Sequence, residues 1–528
     1  MASKDPHHPN ILFVLTDDHG AWALAAAGND EIITPNLDRL AASGIRFENF
    51  FCASPVCSPA RASILTGRIP SQHGIHDWIR KGNLNALSAK HGWDDDRAIE
   101  YLKEMRGYTD ALAEAGYVCG IGGKWHLGDS LTPQKGFTYW NIFPWGGGDY
   151  YNAFLIRDGR LEQDSRYLTD VITEGGLEFL DAQRQSDAAF YLSVHYTAPH
   201  SPWGRGQHPD DLVALYADCP FDTCPVVPGG HPWQINSAPR GAGAKRRELL
   251  SGYYAAITGV DRGVGRLLAK LDELGVRENT LVIFTSDNGM NMGHHGIWGK
   301  GNGTFPLNMY DTSVKAPMLM ARPGHVPAGA VCRDLLSQYD LLPTLLDYTG
   351  LLDPAPAGPV RQAHRPDQAS QPTQSNRPAG FDLDGLPGRS FAPLLRGQAL
   401  PGREHVDVFD EYGPVRMIRT TGLKYIHRYP YGPHELYDLV NDPQEECNLA
   451  AAPAQEARCA ELEAELEAWF VRYADPRLDG AKEPVTGKGQ LDLAGVAGQG
   501  RKAFSDDWWY IDEHGQRRDD RRWFYNLG

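Results

Sequence analysis

Cys57-Ser58-Pro59-Ala60-Arg61 sets a thiol two residues before a proline and four before a guanidinium. The arginine keeps a permanent positive charge near the sulfur. The proline disfavours helix at Ser58. A lone cysteine is most often a small buried apolar residue, but this company is unusual for a structural one. Two acidic pairs end apolar runs: Asp17-Asp18 after residues 11–15 and Asp287-Asn288 after residues 281–284. Oxygen ligands converging across a sheet suit a hard divalent cation, and Ca2+ tolerates irregular geometry better than Mg2+. Taken singly, Asp-Asp is equally a helix cap and Asp-Asn-Gly an ordinary turn. Lys124 and His126 stand in Gly-Gly-Lys-Trp-His-Leu-Gly. His200 follows Pro199, and Lys300 closes Gly-His-His-Gly-Ile-Trp-Gly-Lys. Each of these groups is also compatible with a solvated or packed structural role.

These residues need elements to carry them. Asn10-Ile-Leu-Phe-Val-Leu-Thr16 is a continuous apolar run that predicts a central parallel strand. The carboxyl ends of such strands are where α/β proteins put their sites. Further strands are predicted over 117–121, 189–195 and 279–285. Helices are predicted over 34–43, with Thr34 as cap and Pro35 in the first turn, over 108–115 and over 248–274. This alternation predicts a doubly wound sheet. Residues 354–378, rich in Pro, Gln, Ser and Ala, read as an exposed linker. Short strands over 406–409, 415–420 and 424–428 suit a small antiparallel sheet, and 456–473 an amphipathic helix. The tail from 475 ends in Trp508-Trp509-Tyr510 and Trp523-Phe524-Tyr525. Such aromatics are costly to leave in water, so the tail is expected to pack on the body or on a second subunit of a homo-oligomer.

The stretch Cys57-x-Pro59-x-Arg61-x4-Thr66-Gly67 resembles the signature of the type I, formylglycine-dependent sulfatases of the alkaline-phosphatase-like superfamily, and the match is complete. Asp17-Asp18, Gly123-Lys124-Trp125-His126-Leu127-Gly128, the segments 199–203, 287–289 and 293–300, and Glu435-Leu436-Tyr437-Asp438 with Asn448-Leu449 agree with it as well. Agreement at separated places is what strengthens weak motifs. The resemblance runs from about residue 10 to about residue 450 and weakens over 204–245, in the 354–378 insertion and in the tail. It implies an α/β fold with a doubly wound, mainly parallel sheet and a smaller C-terminal antiparallel-sheet α+β subdomain. The chain divides accordingly into a catalytic domain (1–353), the linker (354–380), the subdomain (381–474) and the tail (475–528).

The resemblance also implies that a formylglycine-generating or anaerobic maturation enzyme oxidises Cys57 to formylglycine, whose hydrate is the nucleophile. Asp17, Asp18, Asp287, Asn288 and the modified Cys57 would hold one Ca2+. Arg61, Lys124, Lys300 and His200 would stabilise the sulfuryl oxygens. His200 or Lys300 would protonate the leaving alcohol, and His126 would deprotonate the second hydroxyl so that sulfate leaves. His195 and Lys315 are weaker alternatives for the histidine and lysine. The reaction is hydrolysis of a sulfate ester, with a small sulfated saccharide as the expected substrate. A phosphonate monoester or phosphodiester hydrolase of the same superfamily is the nearest alternative. A catalytically silent binding protein would need a lost nucleophile or ligand, and none is missing. The segments 72–78 and 140–151 are aromatic enough for a sugar platform, or fill the core.

Composition sets the outer limits. A chain of 528 residues exceeds one compact core. With 22% charged residues and 13 tryptophans it is not generally disordered. The net charge of −16 disfavours nucleic-acid and anionic-membrane partners, so an anion site must be locally positive. No apolar run is long enough to cross a bilayer. Residues 1–10 lack the apolar segment of a secretory signal, which predicts a cytoplasmic chain unless a signal has been removed. Eight cysteines are too sparse for a disulfide scaffold, and Cys219 and Cys224 read as free thiols in a loop.

Overall fold

The computed structural model describes residues 8–85, 97–352, 381, 383–400 and 408–505 in full, and the strand backbone at 510–511 and 517–518. The Pro-rich segment 354–378, Trp508-Trp509 and Trp523-Phe524-Tyr525 lie outside the described residues.

The strand Asn10–Thr16 lies in the middle of a ten-stranded sheet. Phe190–His195 and Thr280–Ser286 flank it, both parallel to it. Val118–Lys124 and Phe137–Phe143 continue the parallel set on one side. Antiparallel strands finish the sheet, Ala153–Arg157 and Arg160–Asp164 at one edge and Met318–Ala321 toward the other. The central strand is apolar throughout because both its faces are covered. Ile11, Phe13 and Leu15 pack with Leu65, Leu112 and Leu345. Leu12 and Val14 pack with Val171, Ile257 and Leu267. The helices Cys57–Thr66, Tyr108–Glu114 and Leu341–Tyr348 thus cover one face, and Leu168–Ala182 and Gly243–Glu273 the other.

Four antiparallel strands, Val408–Tyr412, Val415–Arg419, Leu423–Arg428 and Glu435–Asp438, form the second sheet. The helix Glu456–Tyr473 lays Leu462, Leu466 and Phe470 on it, and the same cluster takes in Ala53, Ile69 and Tyr339 of the main body. The described part of the tail returns to that body. Gln490 is fully buried there. It binds the backbone on both sides of Ile79, its N–H donating to Trp78 O (2.7 Å) and its carbonyl accepting from Arg80 N (2.8 Å).

Three local expectations need correction. Ser58 is helical although Pro59 follows it. The proline sits in the first turn, where an N–H has no partner within the helix, and complete burial of Cys57–Thr66 outweighs the local preference. Thr34 precedes its helix without capping it; its hydroxyl donates to Asp38 instead. The long helix begins at Gly243, five residues before its predicted start. Among the described residues no helix is long and apolar enough to cross a membrane, and Cys219 and Cys224 are free thiols.

Candidate active site

The site forms where the carboxyl ends of Asn10–Thr16 and Thr280–Ser286 meet the N-terminus of the helix Cys57–Thr66. In-register pairing of Thr16 with Ser286 brings Asp17-Asp18 beside Asp287-Asn288. Asp18 adopts a left-handed backbone (φ 61°), uncommon for any residue but glycine. Tyr253 holds it there by donating its hydroxyl to the Asp18 carbonyl at 2.9 Å. The Asp18 N–H donates to Asp287 Oδ1 at 3.2 Å. Gln338 fixes the other strand end, its amide donating to the Asp287 carbonyl at 2.7 Å.

Cys57 and Arg61 are one helical turn apart and share a face. The Cys57 thiol is buried, 3.4 Å from Asp17 Oδ1, and Lys300 Nζ stands 2.8 Å from the sulfur. Arg61 turns away from the cleft. Its Nε donates to Asp287 Oδ2 at 2.9 Å, and its terminal nitrogens reach Asp17 Oδ2 and the Lys124 carbonyl. Gly67, in the left-handed region at φ 66°, ends this helix, which gives Thr-Gly its place in the motif.

Lysines balance the carboxylates. Lys124 pairs with Asp17, and Lys300 with Asp18. Burial alone would raise Asp17 and Asp18, but Lys124 and Lys300 respectively hold them below the usual range. Burial, reinforced by the Asp17 charge, pushes the Cys57 thiol up to about 12. An unmodified cysteine here is therefore a protonated, poor nucleophile at neutral pH.

The two histidines differ in tautomer. His126, also left-handed at φ 54°, faces the Ile79 carbonyl with Nε2 at 2.9 Å. A carbonyl only accepts, so Nε2 carries the hydrogen and Nδ1, buried without a partner, keeps its lone pair. Burial, then the Lys124 charge, holds this imidazole well below its usual range and so neutral. His200 donates from Nδ1 to the Ser201 carbonyl at 2.7 Å and turns Nε2 toward Asp18 Oδ2, 3.8 Å away. His195 lies behind the site, its Nδ1 bonded to the Lys124 carbonyl. Lys315 pairs with Asp311 elsewhere.

Asp17, Asp18 and Asp287 offer carboxylate oxygens that all lie within 4.8 Å of one another. Asn288 donates through Nδ2 to Asp18 Oδ1 at 2.9 Å, while its buried Oδ1 has no partner. An orphaned amide oxygen beside three carboxylates fits a hard divalent cation.

A cleft of about 790 Å³ opens over Cys57, His126, His200 and Lys300. Its walls include Trp78, Trp145 and Tyr151, whereas Trp140 is buried in the core. The expected aromatic segments thus split between cleft wall and core. Sequence reasoning missed three supports: Ser58, whose Oγ accepts from the Ile79 N–H at 2.9 Å, Gln338, and the glycine pair Gly146 and Gly147. Only the glycine run left a mark in the sequence.

Paired acidic strand ends, a buried position 57 beside Lys300, and two histidines lining a cleft suit the hydrolysis of an anionic ester on a doubly wound sheet. The sulfatase family model matches residues 9–351, and the chain belongs to the sulfatase family, enzymes that hydrolyse sulfuric ester bonds. It is 26% identical to the N-acetylglucosamine-6-O-sulfatase of Bacteroides thetaiotaomicron over 93% of this chain and 91% of that protein. It is 32% identical to the human N-acetylgalactosamine-6-sulfatase over 67% of this chain and 64% of that one. A solved structure of a protein with its substrate D-glucosamine-2-N,6-O-disulfate superposes with a TM-score of 0.69 at 24% identity, covering 90% of this chain and all of that one.

Proposed function

We propose that the protein removes sulfate from a sulfated saccharide, using formylglycine made from Cys57 and one Ca2+. The observation that carries the reading is position 57 itself, 2.8 Å from Lys300 Nζ and 3.4 Å from an Asp17 oxygen. Formylglycine supplies a hydrated aldehyde with one hydroxyl to attack sulfur and a second to release sulfate, and Ca2+ supplies a Lewis-acid charge beside it. Asp17, Asp18, Asp287, Asn288 and position 57 would hold the metal.

Lys300 and Lys124 bring positive charge to the sulfuryl oxygens in a buried setting where it counts most. Nε2 of His200 delivers a proton to the leaving oxygen. Nδ1 of His126, kept unprotonated by the Ile79 carbonyl on the opposite nitrogen, accepts a proton from the second hydroxyl. Arg61 holds Asp17 and Asp287 in place. Trp78, Trp145 and Tyr151 present rings to a pyranose, and the sugar sulfatases among the relatives support that substrate class.

Mass spectrometry of protein matured with a formylglycine-generating enzyme, together with parallel assays on sugar sulfates and phosphate diesters, tests the proposal. An aldehyde at 57 with preferential sulfate release is expected. Full activity with an intact Cys57 thiol, or faster turnover of phosphate diesters, would overturn it.

A further inference from the structure

One short loop touches Lys124, His126 and His200, and where it meets the two imidazole rings it carries no side chain. Residues 145–150 read Trp-Gly-Gly-Gly-Asp-Tyr. A Cβ on Gly146 would lie 2.5 Å from Cε1 and 2.9 Å from Nε2 of His126. A Cβ on Gly147 would lie 2.5 Å from Cε1 and 2.8 Å from Nδ1 of His200. Neither glycine is in the left-handed region, so the space they leave open, not a positive φ, accounts for them. The Gly146 carbonyl also accepts from Lys124 Nζ. The Tyr150 hydroxyl donates to the His200 carbonyl at 2.7 Å.

We propose that Gly146 and Gly147 are positioning residues, and that this loop is the template that sets both imidazoles. Each ring is pinned on another side by a single backbone carbonyl, Ile79 for His126 and Ser201 for His200. The loop supplies a second contact, against Cε1 and the carbonyl-bonded nitrogen of each ring. An added methyl would drive the ring off that carbonyl, releasing the tautomer as well as the position. A histidine ring is the movable end of its side chain, so the ring gives way rather than the fold. The third glycine is different: a Cβ on Gly148 would meet only Phe143, at 3.3 Å and 3.8 Å.

The inference rests on the roles proposed for His126 and His200, so its test includes both histidine variants. Matured, Ca2+-loaded enzyme is assayed on N-acetylglucosamine 6-sulfate and on 4-nitrophenyl sulfate. Misplacing a catalytic group by about 1 Å costs about 100-fold in rate, so kcat of Gly147→Ala on the sugar sulfate should fall about that far. On the aryl sulfate, whose phenolate needs little protonation, the loss should stay under about fivefold. Its profile should copy that of His200→Ala, with KM near the parent value. Gly146→Ala should copy His126→Ala, losing rate on both substrates with a burst of released alcohol. Gly148→Ala should keep the parent sugar-to-aryl ratio. Tyr150→Phe, a milder change in the same loop, should move that ratio in the direction of Gly147→Ala.

Equal losses of Gly147→Ala on both substrates beside a leaving-group-dependent His200→Ala would overturn the template, as would a Gly146→Ala enzyme at the parent rate. A His200→Ala enzyme with no leaving-group dependence would instead remove the acid assignment. The template would then stand or fall on whether Gly147→Ala still copies His200→Ala.

Discussion

Arg61 Nε donates to Asp287 Oδ2 at 2.9 Å, fully inside the protein and out of the cleft. The arginine of the cysteine motif thereby acts on the carboxylates that flank position 57 and does not line the cleft. Burial would lower its charge affinity, but Asp287 and Asp17 more than reverse that.

Removing Arg61 leaves Asp17 and Asp287 short of their shared counter-ion. Breaking one partner out of a buried ionic cluster costs about 3–5 kcal/mol. Arg61→Ala is expected to lower stability by that order in urea unfolding of chelator-treated protein. A loss of activity with unchanged stability would mean that Arg61 acts on substrate instead.

Lys300 bridges Asp18 and position 57. Loss of one preorganised charge donor costs about 100- to 1000-fold in kcat. Lys300→Ala should lose about that on aryl and sugar sulfates alike, measured by steady-state kinetics. A loss confined to KM would assign it to substrate binding alone.

Asn288 Oδ1 is buried beside the acidic cluster without a hydrogen-bond partner. Ca2+ should raise the thermal midpoint of the parent in a concentration-dependent way, because a ligand for the native state stabilises it by mass action. Asn288→Ala should need more Ca2+ for the same shift. Identical titrations of parent and variant would remove Asn288 from the metal set.

His208 is buried, and burial lowers its imidazole to about 4. The folded state therefore prefers the neutral ring. This contribution is complete above the unfolded value near 6.5 and is lost as pH falls toward 4. One such group changes stability by about 1.4 kcal/mol per pH unit in that window. His208→Leu should flatten the pH dependence of urea stability between pH 6.5 and 4 by about one proton. Parallel curves for parent and variant would show that His208 does not titrate there.

Gln490 ties the tail to the cleft wall. Its side-chain oxygen accepts from the His76 N–H at 2.9 Å, and its amide donates to the Gly74 carbonyl at 2.9 Å and the Asp492 carbonyl at 3.0 Å. Orphaning a buried donor costs about 1–3 kcal/mol, so Gln490→Ala should lose at least that in urea unfolding. Because that side chain holds Gly74 and His76 just ahead of Ile79, whose carbonyl accepts from His126, kcat should fall too. A destabilised variant with parent kcat would separate the tail from the site.

The local signals in the chain were enough for the four central strands read over 10–16, 117–121, 189–195 and 279–285, the cysteine motif and each charged candidate, but not for the outer strands such as Phe137–Phe143 and Met318–Ala321. An apolar run covered on both faces reads as a central strand because it has no polar side to show. The residues of 10–16, and the helix Glu456–Tyr473, were legible for that kind of reason, a periodicity that burial imposes. Asp17, Asp18, Asp287, Asn288 and Cys57 were individually visible as chemistry.

Their convergence was decided by tertiary structure. Strand pairing sets Thr16 against Ser286, a relation between segments about 270 residues apart that no local pattern carries. Packing made Ser58 helical before a proline, and it turned Arg61 under the carboxylates. The choice of imidazole nitrogen depended on the Ile79 and Ser201 carbonyls. The requirement for bare backbone at Gly146 and Gly147 came from rings contributed by other segments. Sequence names the groups able to react; which atom of each faces the cleft is settled by contacts that exist only once the chain has folded.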